Sequence, residues 1–165
     1  MKVNLFPDVL QGKLSVPTSK SLAHRAIICA SLAKGTSVIS NISFSKDIDA
    51  TIRSMRALGA TIQVHESSCI ITGISDWHSC TCPCNESGST LRFILPIAAT
   101  QNIDCCFQGS PSLFLRPMKV YESIFNRQNL PFIQKENSIQ IHGSLWQILL
   151  SFRAIFPVSL FLACC

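Results

Sequence analysis

Between positions 19 and 35 apolar residues recur at helical spacing, and Leu22, Ala26, Ile27, Ala30 and Leu32 predict an amphipathic helix. Gly35 stands where a left-handed residue commonly closes a helix. The β-branched run 36–42 predicts a strand. A second helix is predicted over 47–58, with Ile48, Ile52 and Met55 on one face, an acid near its start and Gly59 behind it. Segments 61–64 and 69–72 predict two strands around the polar turn Glu66-Ser67-Ser68.

The order then recurs. Residues 87–100 read as a helix and 103–108 as a strand. Pro117, suited to a first helical position, opens a helix through residue 126. Segments 132–135 and 139–142 form a hairpin around Glu136-Asn137-Ser138. Arg25 aligns with Arg92, Leu58 with Leu130, and Ile71-Thr72-Gly73 with Ile141-His142-Gly143. A period of about 70 residues is too long for a solenoid repeat and fits a whole βαβαββ unit. The expected class is α/β of the α+β kind. Residues 1–17 form a strand leading into the fold, 18–82 a first unit, 83–145 a second, and 146–165 an aberrant apolar tail.

Chemistry gathers at two of the predicted helix starts. Pro17-Thr18-Ser19-Lys20-Ser21 places a lysine and hydroxyls in a first turn, where unpaired backbone N–H groups and the helix dipole already favour an anion. Thr18 or Ser19 can cap this helix, and Arg25 follows Ser21 on the same face. Asn85-Glu86-Ser87-Gly88-Ser89-Thr90-Leu91-Arg92 repeats the layout. The pair suits a small polyanion held between two helix tips.

Composition supports this picture. The 165 residues are 47% apolar and 14% charged, which argues for a folded core and against disorder. A net charge of +5 suits an anionic ligand. The basic residues are scattered rather than blocked, so no nucleic-acid partner is expected. Nine cysteines would suggest disulfides in a secreted protein. The start Met1-Lys2-Val3-Asn4-Leu5-Phe6-Pro7-Asp8 has no apolar leader core, so a reducing cytoplasm is expected. Cys80-Thr81-Cys82-Pro83-Cys84, preceded by His78, invites a metal reading. Its one-residue spacers are tighter than zinc spacing and no second pair follows, so no metal is expected. His24 reads as a structural histidine, and Asp47 and Asp49 read as helix-start acids.

Taken together, Pro17-Thr18-Ser19-Lys20-Ser21-x-x-x-Arg25, Leu32-Ala33-x-Gly35, Ala57-Leu58-Gly59-Ala60, Ser87-Gly88-Ser89-Thr90-x-Arg92 and Arg116-Pro117-Met118 resemble the EPSP synthase family, the 3-phosphoshikimate 1-carboxyvinyltransferases. The resemblance runs in order from about residue 10 to residue 144. It implies an inside-out α/β barrel of repeated βαβαββ units, three to each of two domains, of which this chain holds two units of one domain. It also implies transfer of the enolpyruvyl group of phosphoenolpyruvate to the 5-hydroxyl of shikimate 3-phosphate, with release of phosphate and without a cofactor, by a monomer. By the same resemblance Lys20 touches both substrates and is the catalytic cation, while Ser21 and Arg25 hold the shikimate carboxylate. The Gly88 N–H and Arg116 take the phosphate of phosphoenolpyruvate. Arg92 supports the loop, and Asp47 aligns with an acid that the family keeps near its lysine. Two positions depart from better-known members: Glu86 replaces asparagine and Ser89 replaces threonine. Two alternatives stay open: a non-catalytic phosphate-binding module, and the related transferase acting on a UDP-sugar. The latter family has Lys-Asn where this chain has Lys20-Ser21, and lacks the arginine at the spacing of Arg25.

From Trp146 the resemblance stops. The family continues with a strand and a Gly-Asp-x-Ser-Ser-Gln segment, whereas residues 148–165 form an apolar run interrupted by Arg153 and Pro157. Those two residues argue against a membrane segment. From Phe152 onward, reading each codon's third base with the next two permits Ser-Gly-Asp-Ile-Ser-Ser-Gln-Phe-Val-Ser-Gly-Leu-Leu. Phe156-Pro157, for example, requires a shifted codon ending in CC, which is serine or proline. A shifted reading frame beginning between residues 145 and 147 is therefore expected. A nucleotide sequence that does not encode Ser-Ser-Gln in the alternative frame removes that reading. The fragment alone is expected to be inactive, since the third unit and the second domain are missing from it.

Overall fold

Three serines start the three long helices. The hydroxyls of Ser19, Ser45 and Ser87 accept the amides of Leu22, Ile48 and Thr90 at 3.3, 3.4 and 3.2 Å, which satisfies a helix-end donor each time. In this computed structural model, which describes residues 4, 11–13, 16–143 and 145, those helices are α1 (Lys20–Leu32), α2 (Lys46–Ala57) and α3 (Gly88–Ala99). The expected tail over 146–165 and its shifted frame lie outside the described residues, as does most of the leading strand expected before residue 18.

The predicted strands form as β1 (Thr36–Ser40), β2 (Thr61–Val64) and β3 (Ser68–Thr72), an antiparallel sheet in the order β1-β3-β2. β1 stops two residues early because Asn41 turns into the left-handed region, at φ 58°. The second sheet contains β4 (Cys80–Asn85), β5 (Asp104–Gly109), β6 (Phe132–Gln134) and β7 (Ser138–His142), in the order β4-β5-β7-β6. β5-β7-β6 repeats the antiparallel arrangement of β1-β3-β2, and β4 joins β5 in parallel.

The internal repeat extends to its glycines. A Cβ on Gly73 would collide with the Ala33 carbonyl at the end of α1, and one on Gly143 with the Gln101 carbonyl just beyond α3. Both chains approach so closely that only glycine fits.

β4 was not expected from the sequence, and it spans the expected division at 82/83. It lies at a sheet edge, where Pro83 can be accommodated although it lacks a donor. Its Cys82 and Cys84 are fully buried, and α2 packs against the strand, joining the first repeat to the second. The expected helix from Pro117 begins later, as α5 (Lys119–Arg127), and a short α4 (Pro111–Phe114) precedes it. Arg116 falls between them, where the following proline disfavours helical backbone.

One core runs through both repeats, with Ile27, Ile48, Ile52, Met55, Leu58 and Ile71 on one side and Leu91, Ile94, Leu95, Phe107, Phe125 and Ile139 on the other. The inward face of α1 needs correction. Ala23, His24, Ile27, Ile28, Ala30 and Ser31 are buried, while Leu22 and Leu32 are 66% and 43% exposed. α1 is apolar on more than one side, so its periodicity did not single out the face that meets α2 and β3.

Candidate functional site

α1, α2 and α3 pack pairwise. Their N-termini are tied together by a buried line of hydroxyls. His24 Nδ1 on α1 lies 2.7 Å from Thr51 Oγ1 on α2, and Thr51 Oγ1 lies 2.7 Å from Thr90 Oγ1 on α3. Thr90 Oγ1 donates to Ser87 Oγ at 2.7 Å, and Ser87 caps α3. Each hydroxyl has one proton to give. With Thr90 donating to Ser87, Thr51 donates to Thr90, and His24 donates from Nδ1. Burial favours the neutral imidazole, in which Nε2 is then an acceptor, buried without a hydrogen-bond partner. Burial lowers the His24 pKa most, Lys20 and Arg25 lower it further, and only Asp47 opposes them.

This line sets out the sequence-predicted residues at the helix tips. Lys20, in the first turn of α1, is exposed and its ammonium pairs with the Asp47 carboxylate in the first turn of α2. Half-exposed, such a pair contributes roughly 0–1 kcal/mol, so an arriving anion can compete for the ammonium at little cost. Thr18 Oγ1 accepts the Ser43 amide at 3.1 Å, which binds the entry of α1 to the loop before α2. Ser21 is exposed beside Lys20. Arg25 Nη1 donates to the Ser21 carbonyl at 3.0 Å, and its guanidinium sits 5.2 Å from the centre of the Phe93 ring on α3. Its Nε is buried with no hydrogen-bond partner. Arg25 is thus held in place with donor capacity left over.

Gly88 and Arg116 meet across the second repeat. A Cβ on Gly88 would strike the Arg116 guanidinium, whose central carbon lies 3.5 Å from that position. The arginine therefore occupies the space that a side chain would take at the first residue of α3. There the leading amides of the helix have no intrahelical acceptor. Arg92 is exposed, and its carbonyl accepts the Tyr121 hydroxyl at 3.0 Å, so its backbone anchors α3 to α5.

Glu86 is exposed and lines an open cleft of about 440 Å³ at the carboxyl ends of the parallel strands β4 and β5, with Asn85, Gln108, Gly109 and Ser110. Asn85 adopts φ 53° there and its carbonyl accepts the Ser110 amide at 2.8 Å. The structure thus joins Lys20 to Asp47, Arg25 to Ser21 and Gly88 to Arg116, and links the first two pairs to the third through Thr51 and Thr90. The contributions of Thr51, Thr90 and Phe93 were missed in the sequence. The spacing of Ser87 and Thr90 around a helix start was the one available signal.

The family model of EPSP synthase (3-phosphoshikimate 1-carboxyvinyltransferase) matches residues 6–130. The chain belongs to the EPSP synthase family. It is 47% identical over 149 residues to the 3-phosphoshikimate 1-carboxyvinyltransferase of Clostridium perfringens strain SM101, covering 87% of this chain and 35% of the relative. It is 43% identical over 151 residues to the protein of that name from Clostridioides difficile strain 630, covering 84% and 35%. The chain thus spans about a third of the length of these family members. Among solved structures, EPSP synthase from Acinetobacter baumannii shares the fold with a TM-score of 0.65 at 23% identity, over 80% of this chain and 32% of that one.

Proposed function

We propose that this chain carries one side of an enolpyruvyl-transfer site, within a protein that joins phosphoenolpyruvate to the 5-hydroxyl of shikimate 3-phosphate and releases phosphate. The observation that carries the proposal is the Arg116 guanidinium lying against Gly88 at the head of α3. A bidentate cation beside unpaired helix amides is suited to a phosphate, and a glycine there leaves the backbone open to it.

In this reading the Gly88 N–H and Arg116 hold the phosphate of phosphoenolpyruvate. Ser21 and Arg25 hold the shikimate carboxylate, with Arg25 steadied by Phe93 and the Ser21 carbonyl. Lys20 leaves Asp47 for the substrates and stabilises the charge that develops as the hydroxyl adds to the enol carbon. Arg92 and Glu86 shape the approach. Residues 18–82 and 83–145 act as two units of one domain, and β4 and α2 fasten them together. The protein is read as a cytoplasmic monomer with small anionic substrates, not nucleic acid, as its ligands. The described cysteines are free thiols, and no helix among the described residues is long and apolar enough to cross a membrane. Family membership favours the shikimate substrate over a UDP-sugar.

Isothermal titration calorimetry of the 165-residue chain tests this reading. Heat from phosphoenolpyruvate and shikimate 3-phosphate, lost in the Lys20→Met and Arg25→Ala variants, supports it. Equal binding of generic polyphosphate, or a steeply salt-dependent affinity for RNA, contradicts it.

A further inference from the structure

The strands β4 and β5 bring together three thiols that the anion site does not use. Cys80 Sγ lies 3.8 Å from Cys82 Sγ, and Cys80 stands opposite Cys105 in the parallel register. Cys82 and Cys105 are buried at 0% and 2% exposure, whereas Cys80 is partly exposed on an edge strand. One member of the cluster is therefore reachable from solvent, and two lie behind it.

The two candidate partners of Cys80 differ in geometry. Adjacent strands run about 4.8 Å apart, inside the range of roughly 4.4–6.8 Å between Cα atoms that a disulfide spans. Alternate residues along one strand stand about 6.6 Å apart, at the far limit of that range. Cys105 is the better-placed partner.

The chemistry of the thiols is unequal. Hydrogen bonds from Cys105 and then Cys82 bring the Cys80 thiol down to about 4, with nearby His78 adding to the effect against the opposing cost of burial. Its hydrogen bond to Cys80 pushes the Cys105 thiol up to about 12, with burial adding to the shift, and the Cys82 thiol is raised as well. Of the three thiols, Cys80 is the one whose ionised form its neighbours favour. A thiolate is the nucleophilic form of sulfur.

We propose that Cys80 is a modification site for low-molecular-weight disulfides, and that it closes onto Cys105 as a cross-strand disulfide. The Cys80 thiolate attacks one sulfur of the incoming disulfide. That S–S bond breaks, one small thiolate leaves, and Cys80 carries a mixed disulfide. Cys105 then attacks Cys80 Sγ while its proton passes to the departing sulfur, and the second small thiol leaves. The protein pair is oxidised by two electrons, and the reagent is reduced by two to a pair of thiols. Cys82 remains a thiol throughout, hydrogen-bonded beside Cys80.

Glutathione disulfide is the probe, with alkylation of the remaining thiols and peptide mapping by mass spectrometry on the 165-residue chain at pH 6.5. The expected result is a glutathione adduct on Cys80 ahead of the more exposed Cys29, followed by a linked Cys80–Cys105 peptide pair. Cys105→Ser should stop at the Cys80 adduct, Cys80→Ser should give neither product, and Cys82→Ser should slow the adduct severalfold. Labelling of Cys29 with Cys80 untouched in the unmutated chain, or linkage of Cys80 to Cys82, overturns the proposal. The unmutated chain decides these two outcomes even where a variant fails to fold.

Discussion

Thr51 and Thr90 bring their hydroxyls to 2.7 Å in the fully buried space between α2 and α3. This contact connects the helix that carries Asp47 to the helix that begins at Gly88. Through His24 it reaches the helix that carries Lys20. The residues proposed to hold the anion come from distant parts of the chain, so their common placement depends on such links between helices.

Thr51→Val keeps the shape of the side chain and removes the hydroxyl. It leaves the His24 N–H without its acceptor in a dry space and removes the donor to Thr90 Oγ1, at a cost of about 1–3 kcal/mol. Urea denaturation should show that loss, and Thr51→Ser should recover most of it. A Thr51→Val protein as stable as the parent would show that the hydroxyl line is not needed.

Gly88→Ala puts a methyl group where the Arg116 guanidinium lies. The guanidinium is the far end of a flexible side chain, so it can move aside and the fold should survive. The proposed phosphate cradle should not. Affinity for phosphoenolpyruvate by calorimetry should fall about tenfold, or about 1.4 kcal/mol, while the melting temperature changes little. Unchanged affinity would remove Gly88 from the site.

His24 makes stability depend on pH. Its folded pKa lies below the unfolded value of about 6.5, chiefly through burial, so below that pH the unfolded chain binds more protons than the folded one. Stability is fully present above about pH 6.5 and is lost as pH falls from there towards the folded pKa. Urea midpoints at pH 7.5 and 5.5 should differ for the parent, and the difference should shrink in His24→Asn. A parent that is equally stable at both values would contradict a neutral buried imidazole.

The chain spans about a third of the length of its relatives, and none of the residues proposed for the site is assigned as a proton donor. The 165-residue chain should therefore bind ligand without turnover in a phosphate-release assay with both substrates. Release at a rate typical of enzymes would contradict this division of labour.

Much of this was legible in the chain. Serine before a polar first turn marks a helix start, and so the chain itself places Lys20, Ser21 and Gly88 at helix tips. Apolar spacing located α2, α3 and both hairpins within a residue or two of their ends. β4 escaped because Cys-Thr-Cys-Pro-Cys has little β-branched character, and its proline is acceptable only at an edge that sequence does not reveal. The four residues of α4 are too few to show a period. Thr51 and Thr90 looked like ordinary polar helix positions, since a buried hydroxyl is recognised only once its partner on another helix is known. Arg25 drew attention by its charge, but its stacking on Phe93 is purely tertiary.

The pairing of Gly88 with Arg116 is tested most directly by an NMR titration of the isotope-labelled chain with phosphoenolpyruvate. The account predicts saturable shifts of the Gly88 and Ser89 amides, and their disappearance in Arg116→Ala. Amides at the head of α3 that stay still while ligand binds elsewhere, or that shift equally without Arg116, would contradict it.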